Sequence, residues 1–366
     1  MKVLVAVQSY SLPNEKVSHF FVQVRNIYYK QAGLDIDVLN FSAKNDYVVD
    51  DISVYSYKSA VEKIENREYD VLISHQPNLK SHLFLFLKYG KYFKKKINVF
   101  HGHEVLNVRK VYSKPYDYDK SNSLIKVIIQ EVYDKIKLFI WNKVYQRDIK
   151  DTHYLFVSKW MYDEFLKWTK IEESKISPAS SITYNCIGKD FETLVYDHSS
   201  KKEYDFVTIR GNIDGSKYCI DLINQLAFKN PKLKFLIVGK GKFWSYNQKA
   251  PNIEWRDSYL NHNEIIDVLN KSRCALMPTR TDAQGLMMCE MATFGIPVIT
   301  SDIPVCHEVF EFFDNVAFID NENIKGVSLE EMLLDLKKKE PYQKNEKYYA
   351  KNTVEKEVEL IRNILS

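Results

Sequence analysis

The chain has 366 residues, 45% hydrophobic and 27% charged, with a net charge of +4. That is an ordinary globular composition, long for one core and comfortable for two domains. Its five cysteines, Cys186, Cys219, Cys274, Cys289 and Cys306, show no CxxC spacing and no neighbouring histidine pattern. This argues against a zinc site or a disulfide framework and for reduced thiols in a cytosolic protein.

From the N-terminus, the apolar run in "MKVLVAV" is too short for a signal peptide, and polar residues follow it at once. No stretch approaches about 18 uninterrupted apolar residues, so no segment is expected to span a membrane. Short apolar runs then recur, each followed by a loop and a helical pattern. In the first half they are residues 2–7, 35–40, 70–74, 97–100 and 153–157. In the second half they are 204–209, 233–238, 274–278, 296–300 and 316–319. Near-continuous apolar strands alternating with helices predict parallel sheets buried on both faces. Two such series predict an α/β fold of two doubly wound, Rossmann-like domains. The polar stretch "DHSSKKEY" (197–204) places the boundary near residue 200. The expected division is 1–199, 200–345 and a C-terminal helical crossover, 346–366, packing back towards the first domain. Ser328 and Glu331 have the spacing of a capping box.

Charge is uneven along the chain. Residues 80–150 hold 16 Lys+Arg against 6 Asp+Glu. Within them, residues 83–96 and 123–147 are apolar, basic and aromatic. Either both are helices packed on the first sheet with lysines at their solvent edge, or they form a surface that meets anionic lipid.

The most informative stretch is "TDAQGLMMCEMATFGIPVITSD" (281–302). It reads as a loop, a helix from about Gly285 to Phe294, a C-terminal glycine at 295, and a strand after Pro297. The loop lies at the carboxyl end of a parallel strand, where open α/β sheets bind ligands. The amides of Gly285, Leu286 and Met287 would face an anion at that helix start. Glu290 lies on the same helix face, one turn deeper. It could accept hydrogen bonds from a ribose diol, or pair with a core arginine; a buried carboxylate needs some partner. Asp282 could accept from hydroxyls of another part of the ligand, or be a plain loop acid.

This stretch resembles the donor-binding signature of the retaining GT-B glycosyltransferases of family 4, whose pattern is E-x7-E. Gly285, Leu286, Glu290, Ala292, Gly295, Pro297 and Val298 match, and Asp282 stands where the family usually has Glu. The resemblance implies that Glu290 holds the ribose of a sugar nucleotide, and that residue 282 and the amides after it hold the donor sugar. "VTIRGNIDGSK" (207–217) is similar to the segment carrying the family's Arg/Lys pair, which makes Arg210 and Lys217 the expected diphosphate ligands. "LIVGKGK" (236–242), with Gly239, resembles the L-x-I-x-G-x-G element, and Arg256 in "NIEWRDSY" is the expected base-edge residue. "NVFHGHEVLN" (98–107) resembles T-x-H-G-x-[DE]. That implies His101 at the donor sugar, with Glu104 and His75 as candidates on the acceptor side. Many relatives carry a paired-glycine loop after the first strand, and residues 8–20 have none.

The resemblance implies transfer with retention, in which the leaving phosphate helps deprotonate the incoming hydroxyl. It implies no cofactor, no required metal, and closure of two domains facing a central cleft. The substrates expected are a UDP- or GDP-linked hexose, UDP favoured, and a glycan or lipid-linked acceptor; nucleic acid is not expected. The Lys-, Asn-, Ile- and Tyr-rich composition suggests an AT-rich microbe and surface polysaccharide synthesis. The expected location is cytoplasmic, with peripheral contact on the inner membrane face if residues 80–150 meet lipid. The alternatives are a non-catalytic sugar-nucleotide-binding or assembly subunit and a GT-B sugar-nucleotide epimerase.

Overall fold

The computed structural model describes residues 1–12, 20–119 and 123–365. The chain forms two compact units. The first comprises Met1–Val108, Glu131–Ile187 and Lys347–Ser366; the second comprises Arg109–Gln130 and Gly188–Glu346.

The first unit is built on an eight-stranded sheet. Its strands are β1 (Lys2–Val7), β2 (Asp35–Asn40), β3 (Tyr47–Val49), β4 (Ile52–Tyr55), β5 (Val71–His75), β6 (Lys95–Phe100), β7 (Thr152–Phe156) and β8 (Ser180–Ile182). Their order is β3-β4-β2-β1-β5-β6-β7-β8. All neighbours are parallel except β3 and β4. The central strands are Val-, Ile- and Leu-rich and buried along nearly their whole length. Such a strand needs helices on both faces.

The C-terminal helix, Val354–Leu365, belongs to this unit. Its Glu357 is fully buried and receives Arg25 Nη2 at 2.8 Å, Arg25 Nε at 3.0 Å and the Tyr29 hydroxyl at 2.6 Å. Arg25 also donates to Asn185 and to the carbonyl of Thr183. A buried ion pair of this kind is costly to break from one side, because the remaining charge is stranded.

The second unit has six strands: β9 (Tyr204–Asn212), β10 (Phe235–Lys240), β11 (Ile253–Arg256), β12 (Ser272–Leu276), β13 (Val298–Ser301) and β14 (Val316–Ile319). Their order is β11-β10-β9-β12-β13-β14, all parallel. Strand order reverses at β9, which places the topological switch point between β9 and β12.

Two features differ from the sequence reading. The chain divides at 187/188, not near 200. The polar stretch is no free linker: Lys202 Nζ donates to the carbonyl of Asn270 at 2.9 Å, and the Tyr196 hydroxyl to that of Ser272 at 2.6 Å. The Tyr196 amide also bonds the carbonyl of Phe294. The short strands β3, β4 and β8 were not foreseen. β3 and β4 are joined through Asp50 and Asp51, both at positive φ, and β8 carries no apolar run.

The basic segments divide by face. The helix Leu124–Asp148 buries Asp134, Lys137, Leu138, Trp141, Val144 and Tyr145. Its other face exposes Leu124, Ile125, Ile128, Ile129, Val132, Ile136 and Phe139. Part of the positive excess is spent internally, since Lys96 pairs with Asp148 at 3.0 Å and Lys137 with Asp134 at 2.8 Å. Among the described residues, no helix is long and apolar enough to cross a membrane.

Candidate functional site

In the second unit, the loop after β12 turns into the helix Leu286–Phe294. Gly285 sits at its N-cap with φ 72°, a left-handed conformation that L side chains avoid. Gly295 closes the helix at φ 104°. The amides of Met288 and Cys289 both bond back to the carbonyl of Gly285, which leaves Leu286 and Met287 to present the opening N–H groups.

These groups line a cavity of about 190 Å³ bounded by Ile209, Arg210, Gly211, Tyr218, Asp282, Gly285, Leu286 and Met287. It lies at the carboxyl end of β9, at the switch point. Arg210 ends the buried part of β9 and is itself buried. Its Nη2 donates to the carbonyl of Pro278 at 2.8 Å, and its guanidinium stands 4.9 Å from the Tyr218 ring centre. Nε is buried without a hydrogen-bond partner. Burial lowers the Arg210 pKa, and the Tyr218 and Asp282 side chains oppose that shift. Lys217 is not part of the cavity wall, but its Nζ lies 4.7 Å from the centre of the same Tyr218 ring. The two cations therefore share one aromatic ring.

Asp282 borders the cavity, and its Oδ1 accepts the N–H of the next residue, Ala283, at 2.8 Å. Glu290 stands one turn into the helix, 2% exposed, with Oε1 accepting the Gly188 N–H at 3.2 Å. It has no core arginine partner among the described contacts. Burial raises its pKa to about 7, against the opposing effect of the Gly188 bond. His262 is close by: a Cβ placed on Gly188 would lie 2.7 Å from His262 Cε1 and 3.6 Å from Glu290 Oε1.

The remaining expected residues are placed differently. Gly239 does not line the cavity. Its φ is 152°, and a Cβ there would come within 2.2 Å of the Arg210 carbonyl oxygen. The glycine thus lets β10 pass close behind Arg210. Arg256 is engaged by Glu254 at 2.8 Å and by the Tyr204 hydroxyl at 2.9 Å, and does not border the cavity. Arg256 ends β11 in register with Val238 and, through it, with Ile209.

In the first unit, His75 and His101 end β5 and follow β6, with Nδ1 of the former 3.1 Å from Nε2 of the latter. Phe21 packs against His101, ring centres 4.3 Å apart. Glu104 is buried and accepts the N–H groups of His101 and Gly102. Its carboxylate therefore holds the loop that presents His101. The paired-glycine question concerns a stretch of which residues 13–19 lie outside the described residues. Sequence reasoning missed Tyr218, Gly188 and His262. Only adjacency to Lys217 could have pointed to Tyr218.

Residues 206–330 match the family described as glycosyl transferases group 1. That segment runs from within β9, at Phe206, to the start of the helix Leu329–Lys337 and contains the whole cavity. Two Escherichia coli proteins, each an O-antigen biosynthesis glycosyltransferase WclY, are 30% identical to the chain over 102 residues. The match takes in 25% of this chain and 27% of theirs, so it spans about a quarter of the curated relatives' length. Among solved structures, a glycosyltransferase from Rickettsia africae ESF-5 is similar over 100% of this chain and 98% of its own, with TM-score 0.65 and 13% identity. HepE of Anabaena, solved in complex with UDP and glucose, is similar over 100% and 97%, with TM-score 0.62 and 12% identity. These likenesses show the fold: two Rossmann-like parallel-sheet domains of the GT-B class.

Proposed function

We propose that the protein is a retaining glycosyltransferase, transferring a hexose from a UDP- or GDP-sugar to a hydroxyl of a glycan or lipid-linked acceptor in bacterial surface polysaccharide synthesis. The observation that carries this is the cavity at the second sheet's switch point, where Arg210 and the first N–H groups of the Leu286–Phe294 helix converge. A guanidinium and a helix N-terminus together suit a diphosphate. Lys217, 4.7 Å from the centre of the same ring, adds a second positive charge for the leaving group. Preorganised cations and dipoles are worth most where charge develops in the transition state. Glu290 accepts from the ribose hydroxyls, and Asp282 and the amides after it receive the donor sugar. Within the first unit, His101, beside His75 and on the loop held by Glu104, is the candidate group for a sugar hydroxyl.

In the reaction, the bond between the anomeric carbon and the diphosphate oxygen breaks. The acceptor oxygen bonds to that carbon on the same face, and its proton passes to the departing phosphate. The nucleoside diphosphate leaves with both bonding electrons. None of these steps calls on a metal or cofactor.

A thermal-shift screen of UDP, GDP and their hexose conjugates tests the donor. Ligand at about a hundred times its dissociation constant stabilises the fold by about 2.7 kcal/mol, so one nucleotide class should raise the melting temperature clearly. Absence of any shift across the set would sink the reading.

The acceptor side is proposed to work at an anionic membrane surface. The exposed apolar face of the helix Leu124–Asp148, with Ile125 72% and Phe139 63% exposed, has Lys126, Lys135 and Lys143 beside it. Apolar insertion and cationic attraction add at such a face. Flotation with vesicles rich in phosphatidylglycerol should recover the protein at low salt. A variant carrying Ile125→Asp, Ile129→Asp and Ile136→Asp should remain in the pellet fraction. Equal flotation of both proteins, or none for the wild type, would refute the membrane assignment.

A further inference from the structure

The chain leaves the first unit at Arg109 and stays with the second through Gln130. Part of this excursion lies along the basic turn that carries Lys217. Thr281 Oγ1 donates to the carbonyl of Val111 at 2.9 Å, the hydroxyls of Ser113 and Ser216 are 2.8 Å apart, and Lys217 Nζ stands 5.7 Å from the Tyr112 ring centre. Tyr118 donates to Asp214 at 2.9 Å and stacks on Tyr246, centres 4.3 Å apart and 4° from parallel. Tyr116 packs against Phe243 and donates to Asp221 Oδ1 at 2.8 Å.

Asp221 is the hub. Arg280 grips its carboxylate with two bonds, at 3.0 and 2.7 Å. The same arginine donates from Nη1 to the carbonyl of Ser216 at 2.5 Å, and from its backbone N–H to the carbonyl of Lys217 at 2.8 Å. The turn holding Lys217 is thus held by two consecutive carbonyls, both bonded to Arg280. A planar guanidinium is oriented by whatever fixes its fork, and here that is Asp221. Charge-assisted bonds to a carboxylate are roughly twice as strong as neutral ones, so the Tyr116 hydroxyl contributes measurably to where Asp221 stands.

We propose that Tyr116 is a positioning residue for Lys217, acting through Asp221 and Arg280. A side chain from the excursion, far in sequence from the second sheet, thereby completes the diphosphate edge of the donor site. This rests on the glycosyltransferase reading, in which Lys217 meets the diphosphate. Tyr116→Phe separates positioning from packing, since it keeps the ring on Phe243 and removes only the hydroxyl.

The test is calorimetric binding of UDP and GDP to the full chain, with melting temperatures recorded in parallel. Tyr116→Phe should weaken binding of the preferred nucleotide about three- to tenfold, with only a small fall in melting temperature for the lost bond to Asp221. Lys217→Ala should also weaken it, and Tyr116→Phe in the Lys217→Ala background should cause no further loss. Wild-type affinity in Tyr116→Phe, a lower melting temperature with unchanged affinity, or losses that multiply in the double variant would overturn the proposal. If the wild type binds neither nucleotide, the glycosyltransferase reading itself falls, and this proposal with it.

Discussion

Replacing Glu290 by glutamine is expected to weaken nucleotide binding by about ten- to hundredfold while leaving the fold intact. The range is that of hydrogen bonds made to a charged group. Glutamine keeps the shape and an oxygen for the Gly188 N–H, so the helix Leu286–Phe294 has no reason to move. What is lost is the carboxylate, the form that a ribose diol would bind best. Calorimetry with UDP and GDP reads the loss directly. Wild-type affinity in Glu290→Gln would show that Glu290 has only a structural role.

The same side chain sets a pH dependence with a definite sign. Burial raises the Glu290 pKa from 4.5 to about 7. Between those values the folded state keeps a proton that the unfolded state has shed. Stability associated with this group is therefore present at and below the unfolded pKa and is lost as pH rises to about 7. The full swing is about 3 kcal/mol at 1.36 kcal/mol per unit. Urea unfolding at several pH values should show the decline in the wild type and a flatter curve in Glu290→Gln, which is then the more stable protein at pH 8. Nucleotide binding should run the other way, tightening as pH rises through about 7, because the diol selects the ionised carboxylate. A side chain that costs stability where it serves binding best is a common arrangement at functional sites.

The parts of this protein legible in its sequence are those whose signal is local. Ten apolar runs became strands because a strand buried on both faces must be apolar along its length. The helix around Glu290 was bounded to within a residue because Gly285 and Gly295 both adopt positive φ, which few other residues tolerate. The Ser328 cap forms, with its side chain accepting the Glu331 N–H. What stayed hidden depends on partners distant in the chain. Tyr116 and Tyr118 look like loop residues in "KPYDYD", yet they bond Asp221 and Asp214, about a hundred positions away. Gly188 shows no motif, and its role follows only from its contact with Glu290. For Arg256 the motif gives a position, and the structure adds that its guanidinium bonds Glu254 and Tyr204. Spacing can report which face a residue occupies, but not which charges will neutralise it there.

Arg210→Ala should lower turnover by about 10²–10³, the range seen when one preorganised donor to a developing anion is removed. It should not lower the melting temperature. That combination follows from how the wild-type guanidinium is buried. One Nη2 bond to the Pro278 carbonyl, the face of Tyr218 and the charge of Asp282 are its compensation, while Nε has no hydrogen-bond partner. Burying a cation so incompletely compensated costs stability, so its removal relieves strain on the fold. The arrangement makes sense if the missing partner is the anion itself, and a diphosphate at the start of the Leu286–Phe294 helix supplies it. Arg210→Lys keeps the charge but not the fork, and Lys lacks the fixed geometry to hold Pro278 and an anion together. It should recover only part of the loss. Steady-state kinetics with the nucleotide sugar found by thermal shift decides the matter. Turnover within threefold of wild type in Arg210→Ala, or unfolding of that variant, would show that Arg210 supports the sheet and not the leaving group.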